Sequence, residues 1–181
     1  DPQHQHQQEA AYEYDKVLEP VPAGAMRLCF LRKQAFFGSS PGEPLPEVRE
    51  AFRRGLIIVV EVAVLDILQG KLNSRFLVLS HRWETPSHPD PKATKKKLIL
   101  AHLLANPHIE GIWIDFPCLP QGEHSGGRVK TEAERNFFSA TLANVNYLYL
   151  GGKGLALLDF TYLGRFWTSY EVVLLQRTIR G

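Results

Sequence analysis

Apolar runs and stretches of helical period take turns along the chain. Met26–Phe37, Leu56–Val62, Arg75–Ser80 and Ile109–Phe116 are dominated by apolar residues, which predicts buried strands. Between them, Glu47–Arg54 and Ala63–Leu72 carry helical spacing, and Gly55 stops the first of these. Ala93–Ala105 predicts a helix with Leu98, Ile99, His102 and Leu103 facing in and Lys95–Lys97 facing out. Thr131–Val145 predicts another, opened by Thr131 and Glu134 at capping-box spacing, with Phe137, Phe138, Leu142 and Val145 inward. Tyr147–Leu150 and Leu155–Leu158 read as one interrupted strand or two short ones, and a last helix spans Arg165–Arg177. Loops fall at Ser39–Pro46, at His81–Pro91 with its three prolines, and at Pro117–Thr131.

Strands alternating with helices predict an α/β fold with a mainly parallel sheet covered on both faces. Ligands of such sheets sit beyond the carboxyl ends of the strands, so the loops after Leu79, Ile114 and Leu158 are expected on one functional rim. Residues 1–25 are expected to form a disordered tail, since Asp1–Gln8 alternates Gln and His without apolar period. A single domain then covers 26–181, with 26–72 as an N-terminal extension and 76–181 as the core that carries the motifs.

Composition narrows this picture only slightly. With 44% hydrophobic and 22% charged residues and a formal charge of +2, 181 residues make one ordinary globular domain, and the net charge favours neither nucleic acid nor membrane as a partner. The longest greasy stretch, Leu56–Leu68, is broken by Glu61 and Asp66, too early for a spanning helix. Two isolated cysteines, Cys29 and Cys118, suggest a reducing, cytoplasmic setting. A first residue that is Asp and not Met suggests a trimmed chain or a piece of a longer one. His81, His88 and Cys118 lack metal-ligand spacing, so no metal is expected; Gly151–Gly154 lacks P-loop spacing, and Lys92–Lys97 reads as a solvated basic face.

Three segments concentrate chemistry. Ser80, His81, Arg82, Trp83 and Glu84 follow a buried strand directly; Arg82 could hold a phosphate or carboxylate and Trp83 could stack on a ring, or else Arg82 and Glu84 pair and Trp83 caps the core. Asp115 ends the next strand before a stiff Phe116–Gln121 turn, where it serves a binding wall or merely caps the turn. Cys118 within that turn, without a helix N-terminus or His/Asp companions, reads as a small buried hydrophobe more readily than as a nucleophile. Trp167 and Glu171, four apart, share a helical face; a carboxylate there is functional or salt-bridged to Arg82 or Arg165.

The order SHRWE, WIDFPCLPQ, ERNFF and YLGRFWTSYE resembles the HET domain of fungal incompatibility proteins, with its S-x-x-W, W-I-D-x-x-C-I-x-Q and R-x-W-T-x-x-E elements, and beyond it the TIR domain. The likeness spans about Phe76–Gln176. It implies a flavodoxin-like, TIR-type three-layer fold and, in catalytic members, cleavage of the nicotinamide–ribose bond of NAD, which is substrate and not cofactor. Glu171 then matches the catalytic glutamate. Ser80, His81, Arg82, Trp83, Asp115, Cys118 and Trp167 would line the nucleotide site. The resemblance also implies self-association and a role in immune, self-recognition or cell-death signalling, with product cyclisation as a second outcome. A non-enzymatic interaction module is the alternative, and a base-exchanging relative acting on nucleosides a third. TIR domains continue beyond the glutamate helix, so either the chain is a piece or Met26–Leu72 supplies the remaining strands.

Overall fold

The computed structural model describes residues 2–37, 42–123, 128–158 and 166–178, of which 2–7, 166–167 and 177–178 are described by backbone alone. Among the described residues, five strands, β1 (Ala25–Arg32), β2 (Ile57–Ala63), β3 (Phe76–His81), β4 (Gly111–Trp113) and β5 (Gly154–Leu157), make one open sheet in the order β2-β1-β4-β3-β5. Around it lie α1 (Pro2–Val17), α2 (Gln34–Phe37), α3 (Val48–Arg53), α4 (Val64–Leu68), α5 (Thr94–Ala105), α6 (Asp115–Cys118), α7 (Glu132–Gly151) and α8 (Phe166–Thr178).

The α/β class stands, but the sheet is mixed and not mainly parallel. β4, β3 and β5 pair in parallel, whereas β1 is antiparallel to both β4 and β2. The reason lies in the connections: β1 and β2 are joined through the short α2 and α3, whereas the longer helices α5 and α7 allow the crossovers that parallel neighbours need. β3 is buried along nearly its whole length and forms the middle of the parallel half. From Ile58 onward β2 alternates half-buried and exposed positions, because one of its faces packs on the core and the other meets solvent.

Local chemistry explains the helix limits. The Thr131 hydroxyl accepts from Glu134 N at 3.2 Å while Glu134 Oε2 accepts from Thr131 N at 2.7 Å, so the expected capping box forms. Glu47 caps α3 through Arg49 N, and Gly55 at φ 65° makes the turn into β2. Gly151 ends α7 where a Cβ would stand 2.0 Å from the Ile67 carbonyl oxygen, so only glycine lets α7 meet α4. Phe30 stacks on Phe76 with centroids 4.2 Å apart, and Leu28, Leu77, Ile99, Leu103 and Ile112 fill the core around them.

Four expectations need correction. Where a disordered tail is expected over 1–25, the described residues hold a helix, α1 at Pro2–Val17, with Val17 buried and Tyr14 packed edge-on against Phe52. The strand from Met26 stops at Arg32, and Gln34–Phe37 is helical. Tyr147–Leu150 is the end of α7 and not strand, because the apolar period of Val145, Leu148 and Tyr149 simply continues the helix. On α5, Lys95 and Lys96 are buried while Leu98 and Leu104 are exposed. The lysine stems cross apolar ground and their ammonium groups are satisfied by carbonyls, Lys95 by Pro89 O at 2.8 Å and by Arg82 O, and Lys96 by Glu43 O at 2.7 Å. No helix among the described residues is long and apolar enough to cross a membrane.

Candidate active site

From β3 the chain crosses to β4 on one side, and from β4 it crosses back to β5 on the other. Connections that leave in opposite directions open a crevice at the carboxyl end of the central strand. A cavity of about 670 Å³ lies there, lined by the ends of β3 and β4, by α7 and by α8.

Ser80 is the last fully buried residue of β3, and its hydroxyl donates to Glu171 Oε2 from α8. Burial pushes the Glu171 carboxyl above the ordinary glutamate value and outweighs hydrogen bonding from Ser80 and Tyr149; the nearby Asp115 charge adds to the rise, and His81 opposes it. Glu171 therefore keeps its proton to a higher pH than a surface glutamate does.

Asp115 sits at the start of α6, one residue beyond where β4 loses its strand geometry. Its carboxylate accepts from Trp83 Nε1 at 2.6 Å and from Phe116 N at 2.8 Å, and meets His81 Nε2 at 3.3 Å. Burial alone would raise its pKa, but these donors and the His81 ring hold it below the ordinary aspartate value. Two carboxyl groups in one cavity are thus driven apart, Asp115 toward the ionised form and Glu171 toward the protonated one.

The loop carrying Arg82 and Trp83 is fixed from below. Lys95 reaches Arg82 O and Pro89 O, with Glu84 Oε1 at 3.6 Å. Trp83 packs edge-on against Phe116 at 5.7 Å, and Gln121 Nε2 donates to Leu119 O at 2.9 Å and Asp115 O at 3.2 Å, bracing the α6 turn. Arg82 lines the cavity and donates to Trp83 O at 3.1 Å.

Among the expected site residues, His81, Arg82, Trp83, Asp115 and Glu171 line this cavity, and Ser80 joins it through Glu171. Cys118 does not. It is fully buried beneath the α6 turn, accepts from Ile114 N at 3.5 Å, and burial pushes its thiol up to about 12, so it is a small core residue. The side chain of Trp167 and all of Arg165 lie outside the described residues. Trp113, Asn146, Tyr149 and Thr168 also line the cavity and were not singled out from the sequence. Tyr149 falls in the stretch that reads as strand; the helical period running on from Val145 is the signal that places it on α7. His81 Nδ1 and Trp113 Nε1 are buried without a hydrogen-bond partner, two unmet polar groups on residues of one wall. Among the described residues, no group of three or more His, Cys, Asp or Glu could hold a metal ion.

No protein-family model matches the chain, and neither does any curated protein or solved structure.

Proposed function

We propose that this chain is a cytoplasmic TIR/HET-like domain that binds NAD or a related nucleotide and cleaves its nicotinamide–ribose bond, in immune, self-recognition or cell-death signalling. The observation that carries the reading is the hydrogen bond between Ser80 and Glu171, 91 positions apart in sequence, at a cavity that Asp115 and Arg82 share. A nucleotide needs aromatic walls, a cation for phosphate and carboxylates for ribose hydroxyls. Trp83, Trp113 and Tyr149 offer the first, Arg82 the second, and Asp115 and Glu171 the third.

In the proposed reaction the C1′–N bond breaks and its electron pair leaves with neutral nicotinamide. An ionised Glu171 stabilises the positive charge growing on the ribose, water adds its oxygen to C1′, and one proton is released, first to a carboxylate and then to solvent. A cationic nicotinamide ring beside Glu171 favours the ionised form that the step requires. A flavodoxin-like arrangement would fit the β4-β3-β5 half, with β1 and β2 extending the same sheet beyond β4.

Nicotinamide release from NAD, followed by chromatography, tests the reading. Glu171→Ala and Glu171→Gln are expected to lower turnover by about 100-fold or more. Turnover unchanged in either variant would overturn the role of Glu171. NAD left intact by a folded, concentrated wild type would favour the interaction module.

A further inference from the structure

Among the described residues, β2 leaves one edge of the sheet without a further strand. β2 ends the sheet beside β1, and its seven residues include no proline or lysine, the usual guards of an exposed edge; Glu61 is its one charge. The hydrogen-bond parity of the β1–β2 ladder says which backbone groups face out. Arg32 N donates to Leu56 O at 2.8 Å and Val64 N to Gly24 O at 2.9 Å, and the register between them is unbroken. In an antiparallel ladder bonded pairs alternate with unbonded ones, so Ile58, Val60 and Val62 bond to β1. Val59 and Glu61 therefore aim their N–H and C=O groups away from the sheet. Both residues are exposed, Val59 at 41%, whereas Ile57 of the same parity is buried at 7%.

We propose that β2 pairs antiparallel with β2 of a second copy about a two-fold axis at Val60, joining two five-stranded sheets into one. Three features select that occupant and register. Val59 then faces Glu61 of the second copy, and the two exposed outward residues of each chain exchange four backbone hydrogen bonds. On the core side, Ile58 meets Val62 of the second copy and Val60 meets Val60, so the row that packs only partly against each core is completed by β-branched pairs. Placing the axis at Glu61 instead would set two carboxylates face to face, and placing it at Val59 would require pairing through Ile57, which is buried. In the chosen register each Glu61 keeps its own counterion, Arg27 at 2.8 Å.

Sedimentation velocity across a dilution series reads the association. The wild type is expected to pass from monomer to dimer with rising concentration. Val59→Lys places a charge on the edge, and Val59→Pro removes an outward N–H that β1 does not use; each is expected to weaken the dimer by about tenfold or more, while Val59→Thr keeps it. Circular dichroism verifies that each variant is folded, and hydrogen exchange of the wild type decides the matter without any variant: the Val59 and Glu61 amides are expected to be protected in concentrated and not in dilute solution. A wild type that stays monomeric, a folded Val59→Lys that dimerises like the wild type, or amides equally fast at every concentration would each overturn the proposal. NAD is read in none of these arms, so the outcome is separate from that of the Glu171 reading.

Discussion

Replacing Glu134 by glutamine tests how the N-terminal layer is fastened to the site. The Glu134 side chain is fully buried, yet it accepts from Arg49 Nε at 2.7 Å, Thr131 N at 2.7 Å, Tyr14 Oη at 2.8 Å and one Arg128 nitrogen at 3.3 Å. Burial would raise its pKa, but Arg49, the Thr131 amide and the Tyr14 hydroxyl together hold it at about 2, against 4.5 for an ordinary glutamate. At 1.36 kcal/mol per pH unit, that drop corresponds to about 3 kcal/mol of native stability carried by the ionised carboxylate. Glutamine keeps the shape and some acceptors but removes the charge, so Glu134→Gln should lose about 2–3 kcal/mol at pH 7. The sign with pH follows from a lowered folded value: the contribution is full above about 4.5 and fades as pH falls toward 2. Urea unfolding at pH 7 and again near pH 3 measures it. A variant within about 0.5 kcal/mol of the wild type at pH 7, or a difference that grows on acidification, would refute the reasoning.

Three further outcomes follow from the site. Glu171 is held above its ordinary pKa, so its ionised form disfavours the fold at neutral pH; Glu171→Gln should melt at or above the wild-type temperature at pH 7–8, and calorimetry showing a clear loss would contradict the burial argument. Asp115→Asn should weaken the contacts to Trp83 and His81 and cost about 1–3 kcal/mol, a loss that shrinks on acidification because the Asp115 pKa lies below its ordinary value; thermal melts at several pH values, with Trp fluorescence, check it. Lys95→Met leaves Arg82 O and Pro89 O without their buried donor, so nucleotide affinity should fall by about tenfold with the overall fold retained, as calorimetric titration with NAD would show.

How far the sequence reveals this architecture depends on the kind of signal each segment carries. Thr131 and Glu134 announce the start of α7 because a capping box is a contact between near neighbours. The apolar runs around β3 and β4 likewise predict their strands, since burial on both faces removes polar residues. Direction is another matter: nothing local in Met26–Arg32 says that β1 runs against β4, because that is set by which connections can reach. Lys95 and Lys96 mislead for a related reason. Their charges are satisfied by carbonyls of the 82–89 loop and of Glu43, partners that no helical period on α5 can display. At the site, Glu171 is legible as a costly carboxylate among apolar neighbours and Asp115 as a strand-end residue before a stiff turn, whereas Trp113 and Tyr149 look like core residues until the crevice is seen.

The site and the outer layer are therefore parts of one assembly. Gln121 braces the Asp115 turn from within, and its backbone N–H donates to Glu47 Oε1 at 3.2 Å. Glu47 in turn binds Arg49, and Arg49 binds Glu134, on which Tyr14 of α1 also converges. The chain of contacts runs from the cavity wall to a helix that the sequence reads as a tail. A change at Tyr14 should therefore be felt first as lost stability and only then as a looser Asp115 turn, because each link is a hydrogen bond and not a rigid strut. Tyr14→Phe removes one of the acceptances by Glu134, about 1 kcal/mol, while leaving Arg49 and Thr131 in place. If nucleotide affinity fell more steeply than stability in that variant, the coupling between α1 and the cavity would have to travel by another route than Glu134.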